Sequence, residues 1–323
     1  MRSLQLASRL AATLAVLVVL LTSCQCGAAA SQEATDPAFG AFDSSKAWTL
    51  LLEQVELGPR PSGSEENAKT RDLIARELES YGLKPVREPF VANTPGGDIA
   101  MENVYADFEG RPGKGGEPAP MLFIGAHFDT KILPFEFVGA NDGASEVAAV
   151  LELARVICSG SPRAVTYRFV FFDGEEAVRR DWADPDNRYG SRHHVRELTK
   201  VKGALKRSRA LILLDLVGDA DLRLERDSNS TKRLTDIFVS TAKELGMKNL
   251  FNTYSIPIKD DHQSFLEFEI PAVDLIDLNF GKVGNEYWHT AEDTVDKCSE
   301  ESLAKVGKLV LAALPKVEAA YGK

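Results

Sequence analysis

Met121-Leu122-Phe123-Ile124-Gly125-Ala126 followed by His127-Phe128-Asp129 is the stretch on which the fold turns. Six uncharged residues without polar alternation suit a strand covered on both faces. An imidazole and a carboxylate then follow at once, where such a strand ends. The same arrangement recurs at Tyr167–Phe172, ending in Asp173-Gly174-Glu175-Glu176, and at Ala210–Leu214, ending in Asp215. A further strand, Ala272–Leu278, leads through a loop to Tyr287-Trp288-His289-Thr290.

Helical periods separate these runs: Ala144–Ile157, Gly190–Leu198, Thr231–Leu245, Asp261–Phe268 and a last helix from Glu301. Upstream, the pattern predicts a helix from Ala47, a turn at Gly58-Pro59-Arg60-Pro61, a helix capped by Ser64 and running to about Tyr81, and a strand at Asn103–Phe108. Residues 110–120, rich in Gly, Pro and charge, read as an exposed loop, and Phe251–Ile258 as an extended segment. Strands alternating with helices predict a three-layer α/β/α fold around a mixed, mostly parallel twisted sheet.

In such sheets the functional groups collect in the crevice at the carboxyl ends of the strands. Here four strand ends carry acids or histidines, joined by Asp142 in the loop Gly139-Ala140-Asn141-Asp142-Gly143. A carboxylate at one strand end is an ordinary cap or a solvated loop residue; four together point to a site. Nitrogen and oxygen donors without thiolate suit catalytic zinc, which takes three protein ligands and keeps one position open. Asp142, Glu176 and His289 fill those three places. Neighbouring side chains on an extended segment point apart, so Glu176 is assigned to the metal and Glu175 to general acid/base work.

The net charge of -10 and the absence of a basic stripe exclude a nucleic-acid binder. Arg2 and Arg9 precede an apolar run, Leu10–Leu21, that ends in Leu21-Thr22-Ser23-Cys24. That is a signal-peptide pattern, too short to span a bilayer, and its ending resembles a bacterial lipobox. Residues 1–23 are therefore expected to be a signal peptide, 24–45 a tether lipidated at Cys24, and 46–323 one catalytic domain. The expected location is outside the cytoplasm, held to a bacterial membrane by the lipid alone, as a monomer. Of the remaining cysteines, Cys26, Cys158 and Cys298, none has zinc-cluster spacing, and separate thiols are favoured over a Cys158–Cys298 bridge.

From about residue 45 to 320 the motifs resemble the zinc exopeptidases of the aminopeptidase type, and within them the glutaminyl-peptide cyclotransferases. The shared pattern is His127-x-Asp129, the Asp142 loop, Glu175-Glu176, Asp215, and His289 ahead of Thr290 and Asp293. In the wider family His127, Asp142, Glu176, Asp215 and His289 would hold two zinc ions, with Asp142 bridging and Asp129 orienting His127. Phe171-Phe172-Asp173-Gly174-Glu175-Glu176-Ala177, Trp182, Tyr189-Gly190-Ser191-Arg192-His193, Leu213-Leu214-Asp215-Leu216-Val217-Gly218, Asp260-Asp261-His262 and Trp288-His289-Thr290 are similar to the cyclotransferase branch. That branch implies one zinc at Asp142, Glu176 and His289, a network through Asp215 and Asp260, and a pocket walled by Trp182 and Trp288. The chain departs from it in two places: the stretch from Glu176 to Trp182 is one residue longer, and Asp274 stands where the animal enzymes carry His.

The resemblance implies closure of an N-terminal glutamine of a peptide or protein to pyroglutamate. Glu175 would move the proton, and Asp260 with Asp215 would stabilise the intermediate. The alternative is a metallo-aminopeptidase in which Glu175 activates water and a second zinc at His127 and Asp215 anchors the free amine. A noncatalytic lipoprotein would have damaged ligand or base positions, and none is damaged. His193 and His194 are read as packing or solvent-facing residues rather than ligands, and His262 either as part of the site or as a helix cap.

Overall fold

The computed structural model describes residues 38–281 and 284–323. The leader, Cys24 and most of the tether lie outside them. In chain order the described residues form α1 (Ser44–Leu57), α2 (Glu65–Ser80), β1 (Val86–Thr94), β2 (Gly97–Phe108), β3 (Met121–His127), α3 (Ser145–Cys158) and β4 (Thr166–Phe172). Then come α4 (Tyr189–Lys200), α5 (Ala204–Arg207), β5 (Ser208–Asp215), α6 (Lys232–Glu244), α7 (His262–Leu266), β6 (Ala272–Ile276) and α8 (Glu300–Tyr321).

Three helix starts are capped by side chains. Asp43 accepts from the amides of Ser45 and Lys46, Ser64 from Asn67, and Ser299 from Ser302. Caps of this kind contribute about 1 kcal/mol each. The first helix begins at Ser44 rather than Ala47, because Asp43 caps it, and Phe39 and Phe42 pack against the core. The end of the stretch read as tether therefore belongs to the fold.

The six strands make one sheet in the order β1-β2-β4-β3-β5-β6. β4, β3, β5 and β6 run parallel, while β1 and β2 join antiparallel. Alternation along β3 explains the three layers. Leu122, Ile124 and Ala126 enter the core shared with α1, α3, α6 and α8, whereas Met121 and Phe123 enter the core on the opposite face, with residues of α4 and α7. Both faces are covered, which is why the strand sequences carry no polar alternation.

The hairpin of β1 and the first half of β2 was not expected. β1 is an edge strand with Pro89 in it and most positions outside the core. Its half-exposed surface leaves no apolar period in the sequence, and Pro is tolerated because an edge position can spare a donor. β6 ends at Ile276, two residues short of the predicted Leu278. Cys158 and Cys298 are separate thiols, as favoured. No described helix is long and apolar enough to cross a membrane.

Candidate metal centre and substrate pocket

Asp142 sits in the turn that enters α3, and Asp293 shapes that turn: its carboxylate accepts from the amides of Asn141 at 2.7 Å and Asp142 at 3.1 Å. Glu175 and Glu176 follow Gly174, which turns with φ +73° at the end of β4. Their amides donate to the two oxygens of Asp129, at 3.0 and 3.2 Å. His289 arrives on the loop after β6 in the left-handed region, φ +54°. Strain of this kind persists where the surroundings over-determine a side chain. Trp288 stacks on the imidazole at 3.9 Å between centroids, and Phe137 meets its edge.

These three loops bring Asp142, Glu176 and His289 together. His289 Nε2 lies 2.9 Å from Glu176 Oε1 and 3.4 Å from Asp142 Oδ2, and that Asp142 oxygen is buried without a hydrogen-bond partner. Burial opposes a charged imidazole at His289, but Glu176 and Asp142 outweigh it and raise its pKa to about 9. Burial likewise pushes Asp142 up, and the two histidines bring it below the ordinary carboxylate range. An orphaned oxygen facing an imidazole across two acids is the donor set that zinc takes.

Glu175 faces the pocket instead. Its Oε1 accepts from Trp182 Nε1 at 3.0 Å, and burial, then the charges of Glu176, Asp260 and Asp261, push its carboxyl well above the usual range. The loop ahead of Trp182 is held by the Val178 and Arg179 amides, which donate to Asp186, and the indole reaches the site. The pocket is a cavity of about 410 Å³ walled by Trp182, Trp288, Ile258 and Leu278, with Glu175, Asp215, Asp260 and the metal group lining it.

Asp129 faces His127 as expected, its backbone oxygen 3.1 Å and its Oδ1 3.7 Å from Nδ1, and its carboxylate also receives the Glu175 and Glu176 amides. His127 Nε2 stands 3.3 Å from Asp142 and 3.5 Å from Asp215, as a second metal pair would require, but it is nearest Glu146 Oε1, at 3.1 Å. Glu146 had no sequence signal, since it sits inside an apolar helical period. Lys131 was also missed; it is buried, and its ammonium donates to Glu176 Oε2 at 3.3 Å and to the carbonyl of Ala177. His194 packs in the core among Phe123, Phe172 and Phe265 and bonds Glu88, while His193 stacks on Phe90.

Because Asp293 holds the backbone of Asp142 in place, Asp293→Ala is expected to weaken zinc binding about 10- to 100-fold. Competition with a chelating dye measures the change; unaltered affinity would mean that the turn holds itself.

The fold and this site place the chain in peptidase family M28, whose family profile matches residues 103–314. Within it, the chain belongs with the glutaminyl-peptide cyclotransferases. It is 30% identical to the glutaminyl-peptide cyclotransferase-like protein of Mus musculus over 283 residues, covering 79% of this chain and 71% of that protein. It is 28% identical to the glutaminyl-peptide cyclotransferase of Dictyostelium discoideum, with 82% of each chain covered. The crystal structure of an Acidobacteriales bacterium glutaminyl cyclase matches with a TM-score of 0.81 at 31% identity, covering 89% of this chain and 98% of that one.

Proposed function

We propose that this chain converts the N-terminal glutamine of peptides or proteins to pyroglutamate and releases ammonia. The observation that carries this reading is one pocket with the Asp142, Glu176 and His289 donors and a buried Glu175, held by Trp182, beside them. Zinc bound at those three residues would supply Lewis acidity toward the γ-carbonyl of the glutamine.

The rest of the chemistry belongs to the side chains. Trp182 and Trp288 confine a single glutamine side chain so that the α-amine approaches its own γ-carbon, an entropy advantage of near-attack geometry. As the new C–N bond forms, Glu175 accepts the amine proton. When the bond to the amide nitrogen breaks, Glu175 returns that proton and ammonia leaves. Its raised proton affinity suits both halves of that cycle. Burial and then Asp260 push Asp215 well above the usual range, and Asp215 and Asp260 line the pocket beside Glu175, where they would stabilise the tetrahedral intermediate and the departing amide. No water is consumed.

Incubation with a Gln-initiated peptide, followed by mass spectrometry, is expected to give a product lighter by one ammonia. Loss of a whole residue would replace this reading with hydrolysis. The hydrolytic alternative also needs an ion at His127 and Asp215, where Asp142 and Glu146 bring two further donors within reach.

The address is part of the proposal. Export and lipidation at Cys24 would hold the domain to a bacterial membrane, and Cys24→Ser is expected to release it into the soluble fraction without loss of specific activity. Continued membrane sedimentation of that variant would reject the anchor.

A further inference from the structure

The pocket carries its charges in two zones. Asp142, Glu175, Glu176, Asp215 and Asp260 line it, and each of these carboxylates is buried. Lys259 is the only lysine or arginine among the lining residues, and its side chain is 66% exposed. Negative charge therefore sits deep, and one cation stands at the lip.

The chain fixes where that cation is rooted. In the irregular segment ahead of α7, Ile258 and Asp260 are buried and Lys259 between them is exposed, the alternation of extended backbone. The Ile258 amide donates to Asp227 Oδ1 at 2.8 Å, and its carbonyl accepts from the Asn229 side chain at 2.6 Å. Asp227 is anchored in turn, its Oδ2 lying 3.0 Å from His262 Nε2. On the other side the Asp260 carbonyl accepts from the Gln263 amide at 2.8 Å. Lys259 thus springs from a held backbone, with Asp260 turned to the pocket wall and the ammonium to the rim.

That ammonium has no close partner. Its ion pair among the described residues is with Asp184, at 3.8 Å, beyond hydrogen-bond reach. Asp184 already accepts from Arg188 at 2.8 Å and from Arg192. The same Asp184 lines a depression together with Arg179, Arg180, Asp181 and Asp186. Both of those arginines are exposed, and neither forms an ion pair among the described residues. Asp186 is buried and accepts from the Val178 and Arg179 amides, which leaves Asp181 as the one uncommitted acid of that depression. In a chain of net charge -10, the approach to the pocket is an exception.

A pocket negative inside and positive at its lip is complementary to an amino terminus followed closely by a carboxylate. Lys259 stands one residue from the wall that Asp260 forms. A substrate chain leaving the pocket advances by a similar step, about 3.8 Å between neighbouring Cα atoms, so the residue after the glutamine comes level with the ammonium. We propose that Lys259 recognises an acidic side chain on the residue directly after the glutamine, making Gln-Glu and Gln-Asp amino termini the favoured substrates. The inference rests on the reading of this pocket as the seat of an N-terminal glutamine. Lys259 is a specificity residue and takes no part in bond making. Its contact is the same in ground state and transition state, so the effect falls on KM rather than kcat. An exposed ion pair of this kind gives a preference of about 2- to 5-fold, and salt screens it.

The test uses peptides amidated at the carboxyl end and differing only at the second residue, which is Glu, Gln or Lys, so that no terminal carboxylate competes. Fluorescence anisotropy with zinc-loaded Glu175→Gln protein gives Kd without turnover, and the unaltered protein gives KM and kcat. At low salt the Gln-Glu peptide is expected to bind about 2- to 5-fold more tightly than Gln-Gln, with Gln-Lys weakest, and the ratios are expected to approach one at high salt. Lys259→Gln brings the ratio of Gln-Glu to Gln-Gln toward one, and Lys259→Glu inverts the order in favour of Gln-Lys. Equal Kd values for the three peptides in protein that retains Lys259 overturn the proposal. So does a preference that survives Lys259→Gln and disappears when Arg179→Ser and Arg180→Ser are combined, since the contact would then lie with that loop. The mass of the product is read separately: release of a whole residue replaces the cyclisation reading, while the ratio of Kd values still decides the role of Lys259.

Discussion

Glu175→Gln is expected to lower turnover of a Gln-initiated peptide by about 10²- to 10⁴-fold while zinc content stays at the unaltered value. The substitution keeps the shape of the side chain and leaves an oxygen for the Trp182 indole, whose bond to Glu175 spans 3.0 Å. What it removes is the ability to accept a proton. The adjacent Glu176 cannot substitute, because its carboxylate is held between His289 and Lys131. Turnover measured on saturating peptide, beside metal analysis of the same sample, separates a lost base from a lost ion. Unchanged turnover would reject Glu175 as the proton carrier.

His289→Asn is expected to abolish both zinc binding at the pocket and turnover. Asn is chosen because it tolerates the left-handed backbone better than most residues, and position 289 has φ +54°. The imidazole lies within 3.4 Å of both Asp142 and Glu176. Without it two buried carboxylates face each other with one ligand fewer. Loss of the ion forfeits several kcal/mol of charge stabilisation in the transition state, which is at least about 10³-fold in rate. A chelator should produce the same loss in the unaltered protein, with activity restored by added zinc; no restoration is expected in the variant. Full activity in chelator would remove the metal from the reaction.

The two outcomes test different links. Glu175 depends on the turn after Gly174 and on Asp129, which receives both glutamate amides. His289 depends on the packing of Trp288 and Phe137. A fold that kept one loop and lost the other would fail one test and pass the other.

Much of this was legible in the sequence for reasons that can be named. Strands buried on both faces announce themselves as apolar runs, and acids placed abruptly at their ends announce the site. β3, β4 and β5 and the Asp142, Glu176 and His289 group were readable in that way. The edge hairpin of β1 was not, because half-exposed strands tolerate any polar residue. Glu146 and Lys131 were not, because a lone charged residue in a helix or loop looks solvated until packing buries it. The resemblance implied that Asp129 orients His127; that its carboxylate also reaches across to the Glu175 and Glu176 amides at the next strand end had no sequence signal.

By itself, then, the order of residues determined the layers of the fold and the inventory of donors at one edge of the sheet, since both follow from local hydrophobic period and strand length. Which donor meets which was decided only by tertiary structure: that Glu146 approaches His127, that Asp293 secures Asp142, and that Asp227 meets His262. Such pairings join residues up to about 150 positions apart. They are set by how loops cross the ends of parallel strands, and no local pattern in the chain encodes that crossing.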